Sequence, residues 1–397
     1  MRTLNLIFAV LMTLAGLPMF VRADSADTWM DPTTGITWKF MVSSSGVSIG
    51  YGSSRFEAAI PPTTKGKIII PPSIKGKKVV RIGDYAFHDC VLISSVVIPQ
   101  SVVSIGRGAF EDCTGLIAVD IPEGVEDIDA EVFFGCRELA SVIIPSSVMR
   151  IGRAAFGNCY SLSEVEISEG VMSIGDHTFS GCSGLRSIEI PSSVTSIGNY
   201  AFIGCSGLME FIVDDGNKDY SALNGLLCDR SGKSIIFSPC GLSLVVIPEG
   251  VSSIGDSAFY GCGKMTSVAI PSSVSDIGDN AFYGCGGLQS VIIPEGVSSI
   301  GDSAFYGCGK MVSVAIPSSV MSIGKDAFAG CERIASVSVS DLEAWCRIQF
   351  GSRSANPLNN AQKFVVGGVE VTELTIPASV TDINDFGTAP KLVETRF

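Results

Sequence analysis

The sequence predicts a repeat solenoid of the α/β type that is mostly β, a curved stack with short strands on one face and short helical turns or loops on the other. Three observations predict this fold. The 69 residues from Ile247 to Ala315 hold three copies of one 23-residue unit, and the first and third copies differ only where Thr266 becomes Val312. A Phe-x-x-Cys pair recurs in phase along most of the chain. Each unit also alternates apolar and polar residues as a strand does.

Length and charge restrict the function classes. A chain of 397 residues would suggest two or three domains, but in a solenoid each repeat touches only its neighbours, so we expect one elongated domain. Charged residues make up 17% of the chain and the net charge is -13. We therefore expect no nucleic-acid partner, because phosphate-binding surfaces need clustered Lys and Arg. The one basic cluster, Lys65 to Lys78, is expected to keep the edge of the first coil soluble.

Residues 1–23 are predicted to be a signal peptide. Arg2 precedes an apolar stretch from Leu4 to Val21, and the segment ends in the small-x-small pattern Val-Arg-Ala that signal peptidase recognises. No second apolar run of spanning length follows. We therefore expect a secreted or cell-surface protein without a membrane span after signal cleavage.

Residues 24–69 are predicted to form an N-terminal β-hairpin cap. Thr34 to Val42 alternates apolar and polar residues, and a Ser-Ser-Ser-Gly turn leads into a second strand from Val47. A cap of this kind covers the apolar face of the first coil. Trp29 and Trp38 lie in the cap, where sugar binding is the alternative to a packing role.

The regular solenoid is predicted for residues 70–337. Its unit is I-P-x-x-V-x-x-I-G-x-x-A-F-x-x-C-x-x-L-x-x-V-x, and the Phe and Cys of each unit are predicted to form two buried files. The Phe-x-x-Cys pairs are Phe87/Cys90, Phe110/Cys113, Phe133/Cys136, Phe156/Cys159, Phe179/Cys182, Phe202/Cys205, Phe259/Cys262, Phe282/Cys285, Phe305/Cys308 and Phe328/Cys331.

Each part of the unit has a local physical reason. Leu116 to Ile121 has the L-x-x-L-x-L spacing of a leucine-rich-repeat strand, and Pro122 ends that strand because proline cannot donate a ladder bond. In the following turn we expect a positive φ at glycines such as Gly255, an N-cap at Asp256 and a short helical turn that Gly261 closes.

Two segments depart from the unit, and a second period runs through the rest. An atypical longer coil is predicted at about residues 206–246, with a β-hairpin in place of the helical turn. Residues 338–397 are predicted to be modified C-terminal repeats and a cap, with a strand at Val371 to Pro377 and the end of the stack near Ile383 to Phe386. The second period is 46 residues, because Glu-Gly and Ser-Ser alternate after the Ile-Pro step. These pairs are Glu123-Gly124, Ser146-Ser147, Glu169-Gly170, Ser192-Ser193, Glu249-Gly250, Ser272-Ser273, Glu295-Gly296 and Ser318-Ser319.

These motifs resemble the BspA-like leucine-rich repeats of bacterial and trichomonad surface proteins. The likeness lies in the repeat unit, in the longer coil with Asn217-x-x-Tyr220, and in the tail around Ala344 to Cys346, and it covers about Ile70 to Ile383. The resemblance implies an adhesin that binds host or matrix proteins and partner cells. It brings no catalytic residues.

Thirteen cysteines in a secreted chain raise the question of disulfides. Ten of them share one slot of the unit, where stacked side chains run parallel, so we favour a buried thiol column over sequential disulfides. Zinc sites use closely spaced ligands, and the 23-residue spacing therefore predicts no metal site. Cys228, Cys240 and Cys346 lie out of phase. If any pair is bridged, Cys228 and Cys240 across the inserted hairpin are the expected one.

No catalytic, cofactor or metal site is expected. His88 and His177 are the only histidines, and each fills a variable position of the unit without a paired nucleophile. Asp214 to Asp219 lacks the ligand spacing of a calcium loop and is interpreted as a turn. The chain is therefore not expected to be an enzyme.

The predicted binding surface is the outward side of the strands. The residues that flank the central Val of each strand point outward, with carboxylates in the middle of the array and small uncharged residues towards its end. Such a surface suits an extended protein partner, and the acidic part would steer a basic one. An ordinary solvated strand surface is the alternative. The predicted residues are Asp120, Ser141, Ile143, Glu164, Glu166, Ser187, Glu189, Glu210, Ile212, Ser267, Ser290, Ile292 and Ser313.

We therefore expect a protein-binding adhesion module whose partner is an extracellular protein. A structural surface protein that uses its repeats as a spacer and associates end to end is the alternative. A glycan-binding protein that uses Trp29, Trp38 and Trp345 is the second alternative.

Overall fold

The structure, a computed structural model, describes residues 27–51 and 57–372. The chain forms two compact units, Met1–Phe179 with Ile197–Ala201, and Ser180–Ser196 with Phe202–Phe397. The predicted signal peptide, most of the predicted strand at Val371 to Pro377 and the predicted end of the stack lie outside the described residues.

A regular coil has three sides, and two of them are strands. Ser141–Ile144 forms the first side, Arg150–Ile151 the second, and a chain of tight turns from residue 152 to 162 the third. Both strands pair in parallel with their equivalents 23 residues away. We call the two columns of strands the long ladder and the short ladder. The predicted mostly-β solenoid is confirmed, but strands occupy two sides of each coil instead of one.

In the first unit the solenoid follows directly from an antiparallel cap. The cap strands are Asp27–Met30, Thr37–Val42 and Val47–Ile49, and the last pairs in parallel with the start of the short ladder. The long ladder consists of Gly66–Ile69, Ile93–Val97, Ala118–Asp120, Ser141–Ile144 and Glu164–Ile167. The short ladder consists of Lys77–Ile82, Ser104–Ile105, Asp127–Ile128, Arg150–Ile151 and Ser173–Ile174, with Ser73–Ile74 antiparallel to its first strand. The strand Ser196–Ile197 has one residue in each unit.

In the second unit the long ladder has three hydrogen-bonded pieces, and the atypical coil separates the first piece from the second. Its pieces are Ser187–Ile190 with Glu210–Val213, Leu244–Val246 with Ser267–Ala269, and Ser290–Ile292, Ser313–Ile316, Ser336–Val339, Lys363–Val366 and Val369–Glu370. The short ladder begins with antiparallel strands Tyr220–Leu223, Leu226–Asp229 and Ser234–Phe237 and continues in parallel through Ser253–Ile254, Asp276–Ile277, Ser299–Ile300, Ser322–Ile323 and Gln349–Phe350.

Helix is confined, in the described residues, to the end of the second unit. An α-helix spans Leu342–Arg347, and two 3-10 turns span Arg353–Ala355 and Pro357–Asn359. Asp341 caps the α-helix by accepting a hydrogen bond from the Ala344 N–H at 2.6 Å. No helix in the described part of the chain is long and apolar enough to cross a membrane.

The third side of the coils, predicted as short helical turns or loops, is a run of tight turns, and helical turns are not confirmed there. The N–H of Phe259 donates to the carbonyl of Ala281 in the next coil at 2.8 Å, so these backbone groups are used between coils. Ser257 and Gly261 have φ values of 59° and 71°, which interrupt any helical run. The expectation of a short helical turn between Asp256 and Gly261 was therefore wrong.

The roles expected for Gly255 and Asp256 differ in the structure as well. Gly255 does not have a positive φ; a Cβ at this position would lie 2.5 Å from the carbonyl oxygen of Ile235 in the preceding coil. The carboxylate of Asp256 accepts from the N–H of Asp279 at 2.9 Å, across to the next coil. Both residues therefore serve the close approach of neighbouring coils.

The phenylalanines of the repeat form stacked files in each unit. Ring centroids lie 4.9 to 5.6 Å apart from Phe87 to Phe179, and 4.7 to 5.2 Å apart from Phe259 to Phe328, which follows the strand spacing of about 4.8 Å. Phe202 packs edge-on against Phe237 at 5.8 Å, where the atypical coil begins.

The repeat cysteines form a buried column of thiols with a polar function. Cys113 donates its S–H to the carbonyl of Phe87 at 3.0 Å, and Cys136, Cys159, Cys285, Cys308 and Cys331 make the equivalent bond to the phenylalanine 26 residues earlier at 3.1 to 3.3 Å. The thiol therefore satisfies a backbone carbonyl in the core as well as filling space.

The predicted column of ten thiols needs correction at Cys262. Cys182 is a fully buried thiol, as predicted. Cys262 is buried but not a thiol, because its sulfur is bonded to that of Cys240.

The disulfide Cys240–Cys262 joins the atypical coil to the next, and the expected bridge between Cys228 and Cys240 is absent because Cys228 is a free, buried thiol. Ile235 pairs with Ile254 in the short ladder. In the regular coil, Phe259 comes five residues after Ile254, whereas in the atypical coil Phe237 comes only two residues after Ile235. This shortened turn brings Cys240 to a Cα–Cα distance of 4.4 Å from Cys262. Phe237 and Cys240 are thus an eleventh Phe-x-x-Cys pair, one residue out of phase.

Candidate functional site

The long ladder of the first unit presents two outward columns of side chains. Lys67 and Ile69, on its first strand, begin them, although the sequence had assigned this strand to the cap. The column at the first outward position is Lys67, Ser95, Ala118, Ser141 and Glu164, and the column at the second is Ile69, Val97, Asp120, Ile143 and Glu166.

Charge and apolar surface are unevenly distributed along these columns. Lys67 lies four coils from Glu164, about 19 Å at ~4.8 Å per coil. Ile69, on the strand of Lys67, and Ile143, one coil before Glu164, are 51% and 58% exposed. The first unit therefore carries a strand face that is basic at one end, acidic at the other and apolar in part.

The other predicted carboxylates lie in the second unit. Ser187 pairs with Glu210, and Glu189 pairs with Ile212, on the two strands that precede the atypical coil. The tip of the hairpin lies beside them, since the N–H of Phe211 donates to the Gly225 carbonyl at 2.9 Å. The five predicted carboxylates thus fall into a group of three in the first unit and a group of two in the second.

From Leu244 to Ser338 the outward positions of the long ladder in the second unit are uncharged but not flat, and the next strand adds Lys363. Leu244, Val246 and Ile292 are 66%, 64% and 72% exposed. The first outward column is Leu244, Ser267, Ser290, Ser313 and Ser336, and the second is Val246, Ala269, Ile292, Ala315 and Ser338. The sequence missed Leu244 and Val246 because their strand follows the atypical coil, where the Phe-x-x-Cys phase is lost.

The tryptophans are mainly core residues. Trp38 is 0% exposed and packs edge-on to Phe87 at 6.2 Å. Trp345 is 2% exposed and contacts Phe350 with ring centroids 5.4 Å apart. A sugar ring stacks on an accessible aromatic face, so of the three tryptophans considered for glycan binding only Trp29 has an exposed part.

The histidines do not form a catalytic constellation in the described residues. His88 lies 3.2 Å from a carboxylate oxygen of Asp89 and 3.7 Å from one of Glu111. His88, Asp89 and Asp112 could reach a common ion, but Asp89 and Asp112 have φ values of 57° and 55°, a region that Asp adopts for backbone reasons. This cluster therefore supports no metal assignment on its own.

The Asp214–Asp219 segment is a turn, as interpreted, and it is organised by Asn217. The Asn217 side chain is fully buried and donates to the carbonyls of Pro191 and Val194 at 2.8 and 3.0 Å. Its Oδ1 accepts from the N–H groups of Asp219 and Tyr220 at 2.9 and 2.8 Å. Asn217 is therefore committed to holding the start of the hairpin and is not directed at a ligand.

Burial makes the thiols of the core poorly reactive. Burial raises the pKa of Cys90 to about 12, with a smaller contribution from Asp89, and burial raises the pKa of Cys285 to about 12. A thiol is nucleophilic or metal-binding as the thiolate, so these groups are protonated and unreactive near neutral pH.

Comparison with known proteins agrees with this architecture. The family model described as "BspA type Leucine rich repeat region (6 copies)" matches residues 80–209 and 233–352. The chain is similar to a leucine-rich cell surface protein from Faecalibacterium prausnitzii, with 28% identity over 83% of this chain and 99% of that one and a TM-score of 0.56. No curated protein matches the sequence.

Two more distant solved structures support the fold alone. The pneumococcal vaccine antigen PcpA has 19% identity and a TM-score of 0.68 over 94% of this chain and 98% of its own. A leucine-rich repeat protein from Eubacterium ventriosum has 18% identity and a TM-score of 0.51 over 89% of this chain and 97% of its own.

Proposed function

Since the chain belongs to the BspA-type leucine-rich repeat family, we propose that it is a secreted or cell-surface adhesion module that binds an extracellular protein through the outward side of its long ladders. The similarity to a cell surface protein supports the location. The strand columns support the binding mode, because they offer an open surface with side chains in regular rows.

The observation that carries the proposal is the exposure of Leu244, Val246 and Ile292 on one face of the long ladder, on strands two coils apart. Single exposed apolar residues are ordinary, but several on one face are typical of an interaction surface. Fully burying each such side chain contributes roughly 1.5 to 3 kcal/mol. The surrounding Ser and Ala side chains leave room for a partner to approach the strands.

The carboxylates of the first unit have a different role in the proposal. Glu164 and Glu166 are exposed on one strand and point the same way as the apolar Ile143. Exposed charges change the rate of encounter more than the final affinity, and salt screens them. They therefore steer a basic partner towards the strand face.

The test is binding to a panel of purified matrix proteins, measured by surface plasmon resonance. We expect Ile292→Arg to weaken binding at least tenfold, and Glu164→Lys with Glu166→Lys to slow association at low salt. Met321→Arg is the matched control, since Met321 is 67% exposed beside the short ladder. Binding that survives Ile292→Arg and the charge reversal together contradicts the assignment of the strand face.

A further inference from the structure

The second outward column of the second unit alternates large and small side chains. Val246 and Ile292 are 64% and 72% exposed, and Ala269 and Ala315 stand one coil after each of them. Coils repeat at about 4.8 Å, so the large side chains recur about every 9.6 Å with a gap between them. The column is a row of projections and recesses with a period of two coils.

This alternation belongs to the 46-residue period of the sequence. Val246 and Ile292 precede coils with Glu-Gly after the Ile-Pro step, and Ala269 and Ala315 precede coils with Ser-Ser. Each 46-residue repeat of two coils therefore adds one large and one small residue to the second outward column.

A row of this kind is complementary to itself when its direction is reversed. A two-fold axis between Ala269 and Ile292 would set Val246 against Ala315 of a second copy, and Ile292 against Ala269 of that copy. Each projection would then meet a recess. If the two faces met in parallel register, Ile292 would lie against Ile292 of the second copy. These two large side chains would hold the rest of the two faces apart.

The charge of the face also favours a second copy over a charged partner. None of the side chains of the two columns from Leu244 to Ala315 is charged, although the chain carries a net charge of -13. Face-to-face pairing would bury no charge and incur no desolvation of ions. A basic partner would find no carboxylate on these columns.

We infer that this face binds the same face of a second copy of the chain, in antiparallel orientation, as an isologous contact. The inference rests on the proposed strand-face binding and names its partner. The four coils extend about 14 Å along the ladder, so the contact is smaller than the ~800 Å² per partner of a standard stable interface. It is a weak contact that gains strength when many copies are displayed on facing surfaces.

The test is sedimentation equilibrium of the purified full chain near its expected dissociation constant, on the order of 0.1 mM. Ala269→Ile should weaken association at least tenfold by setting two large side chains against each other. Ile292→Ala should weaken it at least tenfold by removing the projection. The double variant exchanges the two sizes and should return to within about threefold of the unaltered chain, because contacting residues are not additive.

Controls separate this inference from the proposed function. Met321→Ala, on an exposed side chain beside the short ladder, should leave association unchanged. A chain that stays monomeric, a double variant as weak as the single ones, or association that all variants retain would each overturn the face-to-face contact. If the chain is monomeric while Ile292→Arg still abolishes binding to a matrix protein, the homophilic inference falls and the proposed function stands.

Discussion

Asn217→Ala tests whether the atypical coil is held by a single buried side chain. All four hydrogen-bonding positions of the Asn217 amide are used, two as donor and two as acceptor. The bonds join the start of the hairpin to the turn that follows Ile190 in the preceding coil. Alanine keeps the backbone and removes all four bonds at once.

The expected loss follows from where the orphaned groups lie. The carbonyls of Pro191 and Val194 are in the buried part of this network, whereas the N–H groups of Asp219 and Tyr220 are part-buried and can turn to water. An unsatisfied buried group costs about 1 to 3 kcal/mol. Counting the two carbonyls in full, we expect the free energy of unfolding of the second unit to fall by about 4 kcal/mol.

Urea denaturation followed by far-ultraviolet circular dichroism and Trp345 fluorescence measures this loss. Asp214→Ala is the control in the same turn, since it removes one exposed bond to the Gly216 N–H and should cost less than ~1 kcal/mol. A loss below ~1 kcal/mol for Asn217→Ala would refute the reasoning.

Asn217→Asp adds a pH test of the same geometry. The new carboxyl keeps the two bonds to N–H groups but sets a charge against the carbonyls of Pro191 and Val194. Burial and these carbonyls would raise its pKa in the folded state above the unfolded value. The sign follows from linkage: the variant is most stable below the unfolded pKa, and it loses stability as the pH rises through the folded pKa.

Four further predictions concern the core and the contacts between coils. Phe305→Ala should lower the free energy of unfolding by about 3 to 5 kcal/mol in the same urea assay, because it opens a cavity in the stacked file. The buried thiols of the native chain should resist iodoacetamide at about pH 8, because burial raises their pKa, to about 12 for Cys90, and mass spectrometry can establish this. Cys240→Ser removes the bridge to Cys262 and should lower the free energy of unfolding by about 3 kcal/mol. Ser273→Ala should cost about 1 to 2 kcal/mol by urea denaturation, because it removes two hydrogen bonds between coils.

The period, the buried files and most of the outward positions could be predicted because a stacked column tolerates no slip. A residue such as Phe282 must recur at a fixed step to stay in contact with Phe259 and Phe305, and the sequence records that step directly. The outward position of Ile143 follows from the same register, since strand side chains alternate between faces.

The conformation of the third side could not be predicted from local propensities. Gly255 and Asp256 have the residue types of a helix start, but their structural reasons lie in neighbouring coils, at the Ile235 carbonyl and the Asp279 N–H. A local sequence pattern cannot distinguish a residue that caps a helix in its own coil from one that hydrogen-bonds to the neighbouring coil. The same limitation hid the disulfide, because Cys240 reaches Cys262 only through a turn that is three residues short.

The 46-residue period has a structural cause that single coils do not explain. The N–H of Gly250 donates to the hydroxyl of Ser273 at 3.1 Å, and this hydroxyl donates to the Val251 carbonyl at 2.7 Å. The N–H of Gly296 donates to the hydroxyl of Ser319 in the same way, at 3.1 Å. We call this glycine–serine contact between neighbouring coils a clip.

A Glu-Gly coil therefore bonds to the Ser-Ser coil that follows it. Duplication of one coil would set Glu-Gly beside Glu-Gly, with no serine oxygen for the glycine N–H and with two carboxylates about 4.8 Å apart. Duplication of two coils preserves every clip and also preserves the alternation of Val246, Ala269, Ile292 and Ala315 on the strand face. The unit by which this chain can lengthen without losing a contact is thus the same unit that gives its face a repeating shape, so each added pair of coils would extend the contact surface in register.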